Sequence, residues 1–292
     1  MRHQWMVKAE QLTALNTRLP NLAVAVRAAV RPRKFELYGI GLPKSGTHSI
    51  ADMFGPTFRT QHEADSHEMI GAIIDVRDGR LSSDYMLDYL TRRRRRLKVE
   101  VDASHFDAHV LEYLVSISAR ARFVLTLRDP YRWLDSFINH SIAHDAHPQW
   151  IAFRDMRFNR PNLTHPPEER ALKDRGLYTL DGYLAYWRWH VERCLRIVPE
   201  ERLLVVRTED LSARAADVAR FAGLPDFTPE LQRTHSYRAA RRFGILNDLD
   251  PDYLHDKVTD VCGGLVEKLC PRLHHPRELR HSLQGDGQCS LP

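Results

Sequence analysis

One loop, residues 41–49, has the composition of an anion-binding turn, with the sequence GLPKSGTHS. The apolar run before it predicts a strand and the run after it predicts a helix. Backbone N–H groups at a helix start bind phosphate or sulfate, and the helix dipole favours the negative charge. Gly46 permits close approach of a ligand, and Lys44 adds a positive charge. Thr47 and Ser49 add hydroxyl donors. Alone, the loop fits a phosphate site and a plain polar turn equally well.

The loop differs from the phosphate loop of nucleotide kinases and ATPases, whose pattern is GxxxxGK[ST]. Gly41 and Gly46 have the required separation, but Thr47 stands where that pattern has its lysine. Lys44 lies two residues before Gly46, so nothing here reproduces the lysine that reaches the β- and γ-phosphates. A nucleotide kinase or hydrolase is therefore the alternative function, and this difference argues against it.

A second basic residue follows an apolar run. Arg128 comes directly after residues 122–127, which predict a strand buried on both faces of a parallel sheet. Such sheets bind ligands at the carboxyl ends of their strands, and Ser136 follows Arg128 by eight residues in a predicted helix. Together the two side chains can hold a second phosphate through charge-assisted hydrogen bonds. For Arg128 alone, a salt bridge with Asp129 or another acidic residue is the simpler interpretation.

The two segments together resemble sulfotransferases that use 3′-phosphoadenosine 5′-phosphosulfate (PAPS). Residues 43–47 resemble that family's 5′-phosphosulfate loop. Arg128 and Ser136 resemble its second signature, a strand followed by Arg and, eight positions later, by Ser. Weaker similarity covers three more segments, residues 99–106, 183–189 and 203–211.

The resemblance implies transfer of a sulfuryl group from PAPS to a hydroxyl of a small-molecule, lipid or carbohydrate acceptor by in-line displacement. The product nucleotide is 3′,5′-adenosine bisphosphate, and the scheme needs no metal. Lys44 is expected to stabilise the bridging oxygen, and Ser136 to restrain Lys44 until the acceptor binds. Arg128 and Ser136 are expected to hold the 3′-phosphate. The residues expected at the 5′-phosphate are Pro43, Lys44, Ser45, Gly46, Thr47, His48 and Ser49.

The acceptor hydroxyl needs a general base, which the resemblance implies to be Glu or His. Where it is Glu, it follows the loop lysine by about twenty residues, and Glu63 is our candidate because it follows Lys44 by nineteen. His105 holds the position of a His-type base after a predicted strand. The other rivals are His62, His67 and Glu68. A surface acidic loop is the alternative for this cluster.

A basic stretch late in the chain resembles the family's basic-Gly loop, which closes over the 3′-phosphate. Arg242 lies two residues before Gly244, although Phe243 interrupts the family's pattern, and Arg238 and Arg241 lie just upstream. A solvated basic helix end is the alternative interpretation.

Two further groups of residues have two interpretations each. Tyr183 and Trp187 are candidates to stack on adenine, and burial in the core is the alternative. The arginine run at residues 92–96 predicts a solvated helix face or a surface that attracts an acidic acceptor.

The surrounding elements predict an α/β fold: a P-loop-like parallel sheet with helices on both faces. An N-terminal helical extension is expected at residues 1–34 and a single domain at residues 35–292. Within that domain, an irregular insert at residues 147–181 and a loop at residues 61–84 are expected to shape the acceptor pocket. The predicted strands are residues 35–41, 98–102, 122–127 and 202–207.

The composition is that of a folded protein, since 43% of 292 residues are hydrophobic and 28% are charged. It excludes extensive disorder and a disulfide-stapled mini-protein. The net charge of +5 suits an anionic ligand, but no spacing supports a nucleic-acid partner. Neither a membrane span nor a signal peptide is indicated, so we expect a cytoplasmic protein with reduced thiols. We expect no metal, because no zinc spacing is formed by Cys262, Cys270, His274 and His275.

Overall fold

The computed structural model describes residues 32–229, 242–271 and 275–277. Most of the predicted N-terminal extension, residues 1–34, lies outside these ranges. Within them the chain forms five strands, β1 Leu37–Gly39, β2 Thr60–His62, β3 Val101–Ala103, β4 Arg122–Leu127 and β5 Leu203–Arg207.

The strands form one parallel sheet in the order β2-β3-β1-β4-β5. The chain places β2 and β3 on one side of β1, and β4 and β5 on the other. The strand order therefore reverses at β1, and ligands of open α/β sheets bind at such a reversal, beyond the carboxyl ends of the strands. The loop at residues 41–49 starts from this end of β1.

Helices cover both faces of the sheet, which confirms the predicted fold class. In chain order they are α1 Thr47–Phe54, α2 Ser66–Arg77, α3 Ser83–Leu97, α4 Leu111–Ile117, α5 Pro130–Ala143, α6 Pro148–Arg157, α7 Arg170–Lys173, α8 Leu180–Ile197, α9 Ala215–Phe221 and α10 Pro251–Leu269. No helix in the described part of the chain has the length and apolar character needed to cross a membrane.

Side chains of β4 alternate between two hydrophobic cores. Phe123 and Leu125 enter the larger core, which α5, α8 and α10 complete. Val124 enters the smaller core, to which α1 contributes Ile50 and α9 contributes Val218. Because successive strand residues point to opposite faces, both faces of this strand are apolar.

Two segments are more regular than the sequence predicts. Residues 61–84, expected to be a loop, include the end of β2 and all of α2. Residues 147–181, expected to be irregular, include α6, α7 and two short 3₁₀ turns. Pro148 contributed to the irregular interpretation, but it occupies the first turn of α6, where a missing N–H costs nothing.

Candidate active site

Two side chains from other elements fix the loop between β1 and α1. Trp133 of α5 donates a hydrogen bond of 2.8 Å from Nε1 to Pro43 O. The Thr208 hydroxyl, just after β5, donates to Ser45 O at 2.5 Å. The loop is thus attached to the elements on either side of it and enters α1 along a fixed path.

The N-terminus of α1 has the features of an anion site. Its N-cap is Gly46, with a φ of 106°, and no side chain of the described residues caps it. Its first turn carries no acidic residue. Uncapped N–H groups and the helix dipole attract a negatively charged ligand to such an end.

The polar side chains of this loop differ in the hydrogen bonds that they make within the protein. Ser45 is fully buried, and its hydroxyl donates to Leu42 O at 2.7 Å. The Thr47 hydroxyl lies 3.1 Å from Nε2 of His62. Ser45 therefore closes the loop internally, although the resemblance in sequence predicts that it contacts the phosphate.

His48 and Ser49 complete the first turn of α1. His48 Nδ1 lies 2.8 Å from a carboxylate oxygen of Asp52, one turn further along. Ser49 is buried beneath the helix start. These two residues lie at the helix end where the 5′-phosphate is expected from the sequence.

Lys44 lies in the loop with a φ of 65°, a backbone conformation that residues other than glycine rarely adopt. Its side chain is half-buried. Burial lowers the pKa of Lys44, the charge of Arg128 lowers it further, and the charge of Glu63 opposes both. The ammonium group thus lies within electrostatic range of a cation and a carboxylate, and the strained backbone holds it there.

Glu63 follows β2 directly and also has a left-handed backbone, with a φ of 53°. Its Oε1 lies 2.7 Å from Nδ1 of His105 and 3.7 Å from Nε2 of His62. Burial alone would raise the pKa of Glu63, but the charge and hydrogen bond of His105, with smaller effects of His62 and Arg157, lower it to about 2. Glu63 is therefore an ionised carboxylate at neutral pH.

The other candidate bases separate into two groups. His105 is buried against Glu63, and its Nε2 is enclosed without a partner among the described residues. His62 is half-buried, and burial lowers its pKa, so that its ring is neutral at pH 7. His67 and Glu68 are exposed on α2. The structure thus brings three of the five candidates together.

Arg128 and Ser136 lie at the carboxyl end of β4 and in the second turn of α5. Trp187 Nε1 donates to Arg128 O at 3.0 Å, which fixes the backbone there. Both side chains are half-buried, and in the described residues neither makes a hydrogen bond or an ion pair. The salt bridge with Asp129, the alternative interpretation of Arg128, is not formed. Burial lowers the pKa of Arg128, and the charge of Asp129 opposes this effect.

Arg242 lies near the same turn of α5. Phe243 N donates to Oδ1 of Asn139 at 2.5 Å, which attaches this segment to α5. Burial raises the pKa of Asp135, while the charges of Arg242 and Arg128 lower it. Arg242 and Arg128 therefore both lie within electrostatic range of one carboxylate. The other two arginines of the predicted basic-Gly loop, Arg238 and Arg241, lie outside the described residues.

His140 is a further candidate site residue, which no motif in the sequence indicates. It lies on α5 one turn after Ser136, a spacing of four residues that places both on one helix face. Burial lowers the pKa of His140 to about 4, and the charge of Lys44 is the next largest cause. The imidazole is therefore neutral at pH 7 and lies close to Lys44.

The structure contradicts adenine stacking by Tyr183 and Trp187. Both side chains are fully buried on the inner face of α8. The Tyr183 ring lies 5.9 Å from that of Phe137 and 4.7 Å from that of Phe158. These two aromatic residues are part of the core, as the alternative interpretation holds.

Residues 36–212 match the family model described as a sulfotransferase domain. The chain belongs to the sulfotransferase family. A comparison with curated proteins finds no match.

Solved sulfotransferase structures are similar to this chain at low sequence identity. One from Alicyclobacillus acidocaldarius is 15% identical, with a TM-score of 0.42, over 80% of this chain and 94% of its own. One from Mycobacterium avium is 13% identical, with a TM-score of 0.43, over 82% and 79%. The sulfotransferase domain of the Synechococcus PCC 7002 olefin synthase is 16% identical, with a TM-score of 0.38, over 77% and 84%.

In this sulfotransferase the arginine run of α3 has a structural role that the sequence does not show. Arg93 is buried, forms an ion pair with Asp102 of β3 and donates to Ala64 O at 3.0 Å. Arg96 pairs with Asp65 at 2.5 Å. Because Ala64 and Asp65 directly follow Glu63, these arginines hold the turn that carries the candidate base.

No group of three or more His, Cys, Asp or Glu side chains is placed to hold a metal ion in the part of the sulfotransferase that the structure describes. Cys262 and Cys270 are buried, and His275 lies 3.4 Å from Asp252. His274 lies outside the described residues.

Proposed function

We propose that this sulfotransferase takes its sulfuryl group from PAPS and transfers it to a hydroxyl of a small-molecule, lipid or carbohydrate acceptor. The observation that carries the proposal is the pair Arg128 and Ser136. Both are polar, half-buried and without partners in the described residues, at the sheet end where the uncapped α1 begins. A 3′-phosphate supplies the acceptor oxygens that these two donors lack.

Two groups of residues would bind the two phosphate ends of PAPS. The first turn of α1, residues 47–49, would hold the 5′-phosphate through backbone N–H groups, with Gly46 allowing close approach. Arg128 and Ser136 would hold the 3′-phosphate, and Arg242 would add its charge from the neighbouring segment. Ser45 and Pro43 shape the loop, because the Ser45 hydroxyl and the Pro43 carbonyl are already bonded within the protein.

Bound PAPS supplies a sulfuryl group attached to a phosphate that leaves readily. Lys44 would stabilise the negative charge on that phosphate, because its ammonium lies in the loop that binds it. Glu63 would accept the proton of the acceptor hydroxyl, because it is ionised and lies within electrostatic range of Lys44. His105 would orient Glu63 through the 2.7 Å hydrogen bond. Ser136 would restrain Lys44 until the acceptor arrives.

His62 is the second candidate for the base. Its ring is neutral at pH 7, and its Nε2 lies 3.7 Å from Oε1 of Glu63. The variants Glu63→Gln and His62→Gln separate the two. If Glu63 is the base, Glu63→Gln lowers kcat by about 10²- to 10⁴-fold while His62→Gln lowers it much less.

Thermal unfolding with nucleotides tests the donor site. We expect 3′,5′-adenosine bisphosphate, without metal, to raise Tm by about 5 °C or more at saturation, and ATP with Mg²⁺ to raise it much less. Arg128→Ala should remove most of that increase. Arg220→Ala is the control, because Arg220 is exposed on α9 and pairs with Asp217. An increase with ATP and Mg²⁺ but not with the bisphosphate would instead support the nucleotide kinase or hydrolase. The cytoplasmic location stays a prediction.

A further inference from the structure

Helix α6 carries two arginines, Arg154 and Arg157, one turn apart. Arg157 is 8% exposed, and Arg154 is half-buried. Neither forms an ion pair with a carboxylate of the described residues. By contrast Arg93, the other arginine buried to this degree in those residues, is paired with Asp102. A buried guanidinium is costly without an anion, so the difference between the two buried arginines needs an explanation.

Aromatic rings surround the Arg157 guanidinium. The guanidinium carbon lies 4.4 Å from the ring centre of Phe153 and 5.2 Å from those of Phe158 and Tyr186. Two of its nitrogens, Nε and Nη1, are enclosed without an acceptor among the described residues. Cation–π contacts stabilise the charge, but they leave these N–H groups unsatisfied. The side chain therefore has hydrogen-bonding capacity that the described part of the fold does not use.

The two arginines lie on the side of the site where the candidate base is found. His105, which contacts Glu63, has its ring centre 6.2 Å from that of Phe153, and Phe153 is the nearest ring to Arg157. Arg154 and Arg157 both lie about 6 Å from the ring of Phe137, which follows Ser136 in α5.

Two electrostatic effects agree with this placement. The charge of Arg157 contributes to the low pKa of Glu63, after burial and the effects of His105 and His62. The charge of Arg154 contributes to the low pKa of His140, after burial and the charges of Lys44 and His144. Each arginine is thus within range of a residue that lies near Lys44.

We propose that Arg154 and Arg157 form an anion subsite for the acceptor. The acceptor would carry a carboxylate, phosphate or sulfate group in addition to the hydroxyl that is sulfated. This inference rests on the proposed function, because it assigns the donor phosphates to α1 and Arg128 and leaves α6 for the acceptor. Guanidinium groups suit oxyanions because their N–H donors match a pair of anion oxygens.

The test measures binding of matched probes by calorimetry to protein saturated with 3′,5′-adenosine bisphosphate. One pair is 4-hydroxyphenylacetate and its neutral amide. The second pair, glucuronate and glucose, has a sugar in place of the aromatic ring, in case the aromatic ring does not fit the acceptor pocket. We expect the anionic member of at least one pair to bind about tenfold tighter or more.

Three variants identify the residues responsible. Arg154→Gln and Arg157→Gln should each remove the preference for the anion and leave the affinity for the bisphosphate unchanged. Arg154 is only half-buried, so its variant remains informative if Arg157→Gln fails to fold. Arg160→Gln is the control, because Arg160 is exposed just beyond α6 and lies 4.0 Å from Asp155.

The outcomes separate this inference from the proposed function. If the bisphosphate binds but neither pair shows a preference for the anion, or the preference survives in Arg154→Gln, the subsite is wrong and the donor site stands. If the bisphosphate does not bind, the proposed function is wrong. If the bisphosphate binds and Arg154→Gln abolishes a preference for the anion, the subsite is supported.

Discussion

Oε1 of Glu63 lies 2.7 Å from Nδ1 of His105, and the pairing of two strands sets this distance. Glu63 comes directly after β2, and His105 comes two residues after β3. The strands are parallel neighbours, and Glu63 N continues the ladder with a 3.0 Å hydrogen bond to Ala103 O. The sheet itself therefore places the carboxylate beside the imidazole.

The Glu63–His105 contact should make stability depend on pH. The pKa of Glu63 is about 2 in the folded chain against an ordinary value of 4.5, so its stabilising contribution is complete above 4.5 and is lost as the pH falls toward 2. Between about pH 6 and about pH 3, wild type should lose about 2 kcal/mol more free energy of unfolding than the double variant Glu63→Gln/His105→Gln, in which neither group of the contact titrates. Urea titrations at the two pH values measure this. Equal losses in the two proteins would show that the contact does not lower the pKa.

Lys44 should destabilise the folded protein through its backbone conformation while its ammonium group supports activity. Its φ of 65° strains any residue other than glycine, so Lys44→Gly should be about 1 kcal/mol more stable than wild type. Because the ammonium is gone, kcat should fall by about 10²-fold or more. Lys44→Ala keeps the strain and should lose the same activity without the gain in stability. Equal stability of the Gly and Ala variants, measured by urea unfolding, would contradict strain at this position.

Gly41 should be essential for the shape of the loop. A Cβ at this position would overlap Thr126 Oγ1 and lie 2.5 Å from Ser45 Oγ. Gly41→Ala should therefore cost about 1–3 kcal/mol and weaken bisphosphate binding. The control is Gly79→Ala, where φ is 73° and nothing lies within 4 Å of the added Cβ. That variant should lose about 1 kcal/mol and bind the bisphosphate normally. If Gly41→Ala binds as tightly as the control, the close packing does not matter for the ligand.

Substitution of two adjacent arginines of α3 should change stability and kcat to very different extents. Arg93 is buried on Asp102 and on the carbonyl of Ala64, so Arg93→Ala should cost about 3–5 kcal/mol and lower kcat through the turn that carries Glu63. Arg92 is 61% exposed and pairs with Asp88 of the same helix, so Arg92→Ala should change stability by less than about 0.5 kcal/mol. Thermal unfolding and kcat, measured on both, give the comparison. Similar effects for the two variants would contradict the structural role of Arg93.

The sequence predicts the parts of this fold whose signals are local. The apolar runs at β4 and β5 predict their strands, and the loop after β1 is identified from its residue types. β2 is missed because it has three residues, TQH, without an apolar pattern, and its pairing with β3 is a tertiary effect. α2, whose Met69, Ile70 and Ile73 pack into the larger core, is likewise assigned to a loop.

In the candidate site too, the sequence predicts residues that belong to local motifs and misses roles that depend on tertiary contacts. Arg128, Ser136 and Lys44 follow from spacing, since their types and order resemble a known family. Arg93 is buried against Asp102, unlike its neighbours in the run, and Arg157 has no carboxylate partner among the described residues. Both features depend on contacts between distant segments. From the sequence alone, a buried arginine in a helix cannot be distinguished from a solvent-exposed one, because a run of charges typically predicts a solvated helix face.

The most direct test of the account is whether the 3′-phosphate is recognised by Arg128 and Ser136. Calorimetry without metal compares 3′,5′-adenosine bisphosphate with 5′-AMP, which lacks only that group. We predict that the bisphosphate binds about a hundredfold tighter to wild type, and that Arg128→Ala and Ser136→Ala each reduce this ratio by about tenfold while leaving 5′-AMP unaffected. Equal affinities of the two nucleotides for wild type, or an unchanged ratio in both variants, would contradict the assignment of the donor site.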